Sequence, residues 1–117
     1  MPGEGRLTTH VLDTMHGRPA AGMRIDLSMS HGDHSHNILS IETNADGRAE
    51  QPLLGPGRWG QGTFELTFHV GEYFARLGVT GAPFLDIVPV RFIISEDAHY
   101  HVPLLVSPYA YSTYRGS

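Results

Sequence analysis

A chain of 117 residues suits one domain, and such a domain buries roughly two-thirds of the surface its unfolded chain exposes, enough for a core without covalent staples. Cysteine and lysine are both absent, which excludes disulfides, thiolate nucleophiles, Cys-type metal centres, Schiff-base chemistry and a lysine base. All eight basic residues are arginine, a planar, permanently charged group suited to bidentate recognition. The net charge of −4 with scattered basic residues argues against a nucleic-acid footprint, and nothing approaches the about 20 apolar residues of a membrane span. Met1-Pro2-Gly3-Glu4-Gly5-Arg6 has no apolar signal core, so a cytoplasmic protein is expected unless a leader was removed.

Leu7 to Asp13 is rich in β-branched residues and is followed by Gly17-Arg18-Pro19, which predicts a strand and then a turn. Its alternation places Thr8, His10 and Leu12 on one side and Leu7, Thr9, Val11 and Asp13 on the other. From Gly22 to Met29, Met23, Ile25, Leu27 and Met29 alternate with Arg24, Asp26 and Ser28, the pattern of a half-buried strand. Ser30 to Asn37 is polar and without periodicity, and is predicted to be a loop. Ile38–Thr43 and Arg48–Leu53 are predicted strands around Asn44-Ala45-Asp46-Gly47, where Asp-Gly supplies the positive φ of a tight hairpin. Arg48 then takes the first strand position after the turn.

Gly55 to Gly62 is a glycine-rich connection, and Thr63–Val70 resumes strict alternation with Phe64, Leu66, Phe68 and Val70 inward. Gly71–Gly78 has apolar residues at helical spacing and a glycine stop, which predicts one short helix. Asp86–Ser95 is a strand with Val88, Val90, Phe92 and Ile94 in phase, and Pro89 places it at an edge or a bulge. After Ser95–Ala98, a strand from His99 to Val106 puts His99, His101, Pro103 and Leu105 on one face and Tyr100, Val102, Leu104 and Val106 on the other. A Ser107-Pro108 turn leads into a last strand. The expected architecture is all-β, a two-sheet sandwich of seven or eight strands with one short helix, forming a single domain over residues 1–117.

Three residues far apart in sequence fall on strands that a sandwich can bring together: His10, Arg48 and His101. Taken alone, a strand histidine is more often a satisfied polar residue than a catalyst, and an arginine after a turn is usually solvated. His16 and His69 are read as ordinary polar residues. His99 and His101 share a strand face, and with a third imidazole such as His10 they have the makings of a zinc site. His31, His34 and His36 with Asp33 have the composition of a surface metal loop, although such loops usually stay solvated.

The segment Tyr100-His101-Val102-Pro103-Leu104-Leu105-Val106-Ser107-Pro108 with the closing Tyr114-Arg115-Gly116-Ser117 resembles the 5-hydroxyisourate hydrolases, the purine-degrading branch of the transthyretin family. Leu7-Thr8-Thr9-His10-Val11-Leu12-Asp13-Thr14 with Gly17-Arg18-Pro19-Ala20, and Thr43–Arg48, resemble that family's opening strand and hairpin. The resemblance implies a transthyretin-like sandwich that hydrolyses 5-hydroxyisourate to 2-oxo-4-hydroxy-4-carboxy-5-ureidoimidazoline without a cofactor. It implies His10, Arg48 and His101 as catalytic residues. Arg115 and Ser117 complete the carried-over set as substrate-binding residues, with Tyr114 and Gly116 of the same terminal motif counted with them; Tyr114 is expected chiefly to pack and orient the tail. It further implies a homotetramer, a dimer of dimers with sites in clefts between dimers, for which Tyr109, Tyr111 and the apolar His99–Val106 strand look like interface material. The contrasting expectation is a carrier that binds a small ligand in the same cleft and catalyses nothing.

Overall fold

The computed structural model describes residues 5–55 and 59–116. The alternation at Leu7, Thr9, Val11 and Asp13 becomes strand β1 (Arg6–Asp13), with those four buried and Thr8, His10 and Leu12 half-buried on the other face. The chain folds back at β2 (Arg18–Pro19), which pairs Leu12 with Pro19 and Asp13 with Arg18. It then crosses to the second layer as β3 (Arg24–His31), β4 (His34–Glu42) and β5 (Gly62–His69). Helix α1 (Val70–Arg76) closes one end, and β6 (Ile87–Ile94), β7 (His99–Val106) and β8 (Tyr111–Thr113) complete the chain.

Two four-stranded sheets result, ordered β2-β1-β7-β8 and β4-β3-β5-β6. Leu7, Val11 and Leu104 of the first meet Ile25, Leu27, Leu66 and Phe68 of the second in the core. The pairing that matters most is β1 with β7. It is parallel, and parallel neighbours need a long crossover connection; here the whole second sheet lies between them in sequence. Thr8 stands opposite His101, and His10 opposite Pro103. Proline is tolerated in β6 because that strand lies at the sheet edge, as Pro89 suggests.

Two segments differ from the sequence expectation. Ser30–Asn37 is not a loop: β3 runs to His31, turns at Gly32-Asp33 with Gly32 at φ 65°, and β4 begins at His34. The polar pattern misleads because this hairpin is exposed at its tip, so neither face there needs apolar side chains. Arg48–Leu53 is not a strand. The Asn44–Gly47 turn forms, but the chain leaves it along the outer edge of β1, touching it through single bridges at His10–Arg48 and Leu7–Leu54. A turn motif fixes the local reversal, not the sheet its exit joins.

The apolar row of β7 goes to the core: Val102, Leu104 and Val106 are buried there, so this row is not free interface surface. Tyr109 and Tyr111 remain exposed.

Beneath the sheet, Asp13 is only 1% exposed. Its carboxylate accepts hydrogen bonds from Tyr73 Oη at 2.7 Å, His16 N at 2.9 Å and His16 Nδ1 at 2.6 Å, tying β1 to α1. Burial pushes the carboxyl upward, but these hydrogen bonds outweigh it and hold Asp13 below the ordinary aspartate value. A depressed folded pKa gives stability that is present above the unfolded value of about 3.9 and is lost as pH falls through the folded one. Asp13→Ala leaves the Tyr73 hydroxyl without its acceptor and is expected to cost about 1–3 kcal/mol in urea unfolding at pH 7. The difference from the parent should shrink below about pH 4, because the parent loses the same interaction there.

Candidate active site

The outer face of the β1–β7 pair is where the polar residues gather. Thr8 and His10 project from β1, and His99 and His101 from β7, because each strand buries its other face in the core. The parallel register sets Thr8 beside both β7 histidines. Its Oγ1 lies 2.8 Å from His99 Nε2 and 2.8 Å from His101 Nδ1. The two rings are 6.1 Å apart and tilted by 56°, joined through this hydroxyl.

Arg48 reaches the same face from the turn. Asn44 Oδ1 accepts from Asp46 N at 2.9 Å and from Arg48 N at 3.1 Å, and Asn44 N donates to Arg48 O at 2.8 Å. The turn is fastened to β1 by Val11 N donating to Gly47 O at 2.8 Å. Gly47 sits at φ 76°, and a Cβ there would collide with the Val11 carbonyl oxygen. Only glycine allows this approach, and the approach pairs Arg48 with His10.

The electrostatics follow from that pairing. Burial first, and then the Arg48 guanidinium, hold His10 below the ordinary histidine value, against a raising effect of the Asp46 backbone and carboxylate. Burial also lowers His101, followed by Arg48, His99 and His10. Both shifts favour the neutral imidazole, which has a lone pair available. A shallow hollow of about 140 Å³ at Arg48 is lined by Thr8, Thr9 and Pro52, among others, but by neither His10 nor His101.

The C-terminal tail runs antiparallel to β7 in the register of β8. Gly116 N donates to His101 O at 2.7 Å, and a Cβ on Gly116 would fall 2.7 Å from His101 Cδ2, so the tail presses on the imidazole. Ser117 lies outside the described residues. Arg115 goes elsewhere: its guanidinium is 4.1 Å from the centre of the Tyr100 ring and 3.8 Å from Glu96 Oε1. Tyr100 belongs to the opposite face of β7 from His101, so Arg115 is not directed at the histidines. With Tyr114 it lines a larger hollow of about 350 Å³ that also includes Val90, Phe92 and Tyr100.

Among the described residues, no group of three or more His, Cys, Asp or Glu side chains is arranged to hold a metal ion. His31 and His36 stack on each other 5.0 Å apart across the β3–β4 hairpin. His16 and His69 are each paired with an aspartate, Asp13 and Asp26. Thr8 was not legible as a site residue, because its contacts depend on the β1–β7 register. The available signal was its position two residues before His10, on the same strand face.

Comparisons with known proteins bear on the fold and the family. A family model described as the HIUase/Transthyretin family matches residues 7–116. The chain is 55% identical to 5-hydroxyisourate hydrolase 2 of Rhizobium meliloti, over 100% of both chains. Its fold matches a crystal structure of (S)-allantoin synthase with a TM-score of 0.90 and 50% identity, covering 98% of this chain and 44% of that one. It also matches 5-hydroxyisourate hydrolase of Klebsiella pneumoniae with a TM-score of 0.81 and 34% identity, covering 97% of this chain and 100% of that one. The chain, a two-sheet sandwich with two imidazoles and a guanidinium on one outer face, belongs to the HIUase/transthyretin family.

Proposed function

We propose that this protein hydrolyses 5-hydroxyisourate to 2-oxo-4-hydroxy-4-carboxy-5-ureidoimidazoline, in the degradation of urate, with residues 1–117 acting as one hydrolase domain. The observation that carries the reading is the convergence of His10, Arg48 and His101 on the outer face of β1 and β7, in a chain of this family. The cytoplasm is the compartment we propose; no helix among the described residues is long and apolar enough to cross a membrane.

The reaction opens a ring amide. A water proton passes to one imidazole, the water oxygen bonds to the carbonyl carbon, and the carbon–nitrogen bond breaks. The proton then goes to the departing ring nitrogen, and the carbonyl becomes the carboxyl of the product. A neutral imidazole suits the first step, and the imidazolium so formed, or its neighbour, suits the last. Arg48 supplies a fork of N–H donors to the oxygen on which negative charge develops. The tail keeps a role by position. Gly116 abuts His101, Ser117 follows it in sequence, and Arg115 over Tyr100 anchors the segment that carries both.

The site on one protomer is too open to enclose such a substrate. The hollow beside Thr8 and Arg48, at about 140 Å³, is lined by neither His10 nor His101, and pockets that bury small ligands run to about 300–1,000 Å³. A second copy of the chain supplies the missing wall in the homotetramer we propose, a dimer of dimers. Strands β6 and β8 are unpaired sheet edges flanked by exposed apolar side chains, among them Ile93 at 68% and Tyr114 at 60% exposure. Light scattering is expected to give four times the 12.8 kDa chain mass. A stable, fully active monomer contradicts the shared site.

With substrate generated in situ by a urate oxidase, the protein should hasten the ultraviolet absorbance decay above the spontaneous rate. An unchanged decay leaves the carrier reading in its place. His10→Ala, Arg48→Ala and His101→Ala are each expected to lower kcat/KM by about 10²–10⁴-fold with circular dichroism unchanged.

The pH profile has a definite sign. Because burial and Arg48 hold both imidazoles down, the acid limb of kcat/KM should fall below the ordinary histidine value of about 6.5. Removing a neighbouring cation favours the imidazolium and raises its pKa. Residual activity of Arg48→Gln should therefore show its acid limb at higher pH than the parent, and a limb moving the other way would contradict the assignment.

A further inference from the structure

One contact in the site has no part in the scheme above: the Thr8 hydroxyl is shared between two imidazoles, 2.8 Å from His99 Nε2 and 2.8 Å from His101 Nδ1. A hydroxyl carries one hydrogen and two lone pairs. It can donate to only one of the two nitrogens, so at least one histidine must meet it with an N–H whenever both bonds are made. Three groups on two strands thus share one coupled proton arrangement.

We propose that Thr8 is a positioning residue for His101: its oxygen accepts the Nδ1–H of His101 while its hydrogen goes to His99 Nε2, leaving the lone pair of His101 Nε2 for the cleft. This deepens the hydrolase reading and rests on it for its catalytic meaning. Which ring nitrogen of a histidine is protonated is set by the hydrogen bond that the other nitrogen makes. With Nδ1 held by Thr8, Nε2 is the nitrogen left to act on water.

Three observations bear on this: one favours the direction over its mirror image, in which Thr8 donates to His101 and the cleft meets an N–H, and two hold the contact in place whichever way the hydrogen lies. The first is the charge facing His101. Arg48 from the turn and His10 from β1 act on it, and His99 from its own strand, while Arg6 acts on His99. A lone pair on Nε2 lies favourably in the field of a guanidinium, and an N–H does not.

The second is rigidity. Thr8 is β-branched, with few χ1 choices, on a strand whose opposite face is locked in the core. Thr9, the next residue, donates through Oγ1 to Val102 O at 2.7 Å and so staples β1 to β7 at this level. The hydroxyl of Thr8 is therefore held where it is needed. The third is the other side of the ring: Gly116 packs on His101 Cδ2, which blocks rotation of the imidazole away from Thr8.

The same arrangement gives His99 a role that does not require it to touch substrate. As acceptor of the Thr8 hydrogen it fixes the direction of the chain of bonds. It does so while neutral, because burial and Arg6 hold His99 below the ordinary histidine value.

The test separates this inference from the hydrolase reading. Histidine ¹⁵N NMR of the intact, substrate-free protein at pH 8 reports the tautomer without any turnover. The expected spectrum has Nδ1 of His101 protonated and Nε2 bare; the opposite assignment overturns the proposal, whatever the protein hydrolyses. Thr8→Val keeps the shape and removes the hydroxyl. It should shift His101 toward the Nε2–H tautomer and lower kcat for 5-hydroxyisourate about tenfold or more, with a smaller change in KM. Thr8→Ser, which restores the hydroxyl, should recover both the tautomer and most of the rate. A folded Thr8→Val protein with the parent's tautomer and rate overturns the proposal. A parent that binds but does not hydrolyse 5-hydroxyisourate sinks the hydrolase reading instead, and leaves the tautomer assignment to the NMR result.

Discussion

The side-by-side parallel pairing of β1 and β7 is the constraint on which the rest of the structure depends. It brings residues some ninety positions apart into register, Thr8 with His101 and His10 with Pro103. One face of the pair is committed to the core through Leu7, Val11, Val102 and Leu104, and so the other face is held rigid by packing it does not itself contribute. A site built on strands in this way is positioned more accurately than one built on loops. The two parts brought in from outside the pair, Arg48 and the tail, are each tied to it through backbone hydrogen bonds, at Val11–Gly47 and His101–Gly116.

Glycine does unusual positional service here. At Gly47 the backbone takes a conformation that side chains rarely adopt and comes against the Val11 carbonyl, and this sets Arg48 beside His10. At Gly116 the missing side chain lets the tail lie on the His101 ring. In both cases a charged or titratable group depends on how closely two backbones can approach. Arg48 then performs two functions from one position. Its charge lowers the basicity of both imidazoles, and in the proposed reaction its N–H donors serve the developing oxyanion.

Much of the fold was legible because period-two alternation is a strong signal where one face is wet and the other dry. β1, β3, β5, β6 and β7 all carry it, and the change to helical spacing at Gly71 announced α1. The signal failed where burial did not apply. The β3–β4 hairpin tip is exposed, so its strands look like a loop, and Arg48–Leu53 follows a hairpin turn without joining a ladder. In the site, His10, Arg48 and His101 could be named from their local motifs, whereas Thr8 was not singled out and His99 was read only as a candidate zinc ligand beside His101. Their significance lies in a register between strands at opposite ends of the chain, which no local pattern encodes. Arg115 shows the converse: its motif was recognisable, yet the structure turns it over Tyr100, away from the histidines. Motif membership told which segment matters, and packing decided which way the side chain points.

In the proposed reaction a purine-derived ring binds on the outer face of β1 and β7, between His10, Arg48 and His101. The most direct measurement is a crystal structure of the assembled protein with a non-hydrolysable purine analogue. The analogue is expected within hydrogen-bond distance of all three side chains, with the C-terminal tail closing on it. An analogue bound instead in the hollow between Tyr100 and Arg115, or anywhere that leaves the three residues untouched, would contradict it.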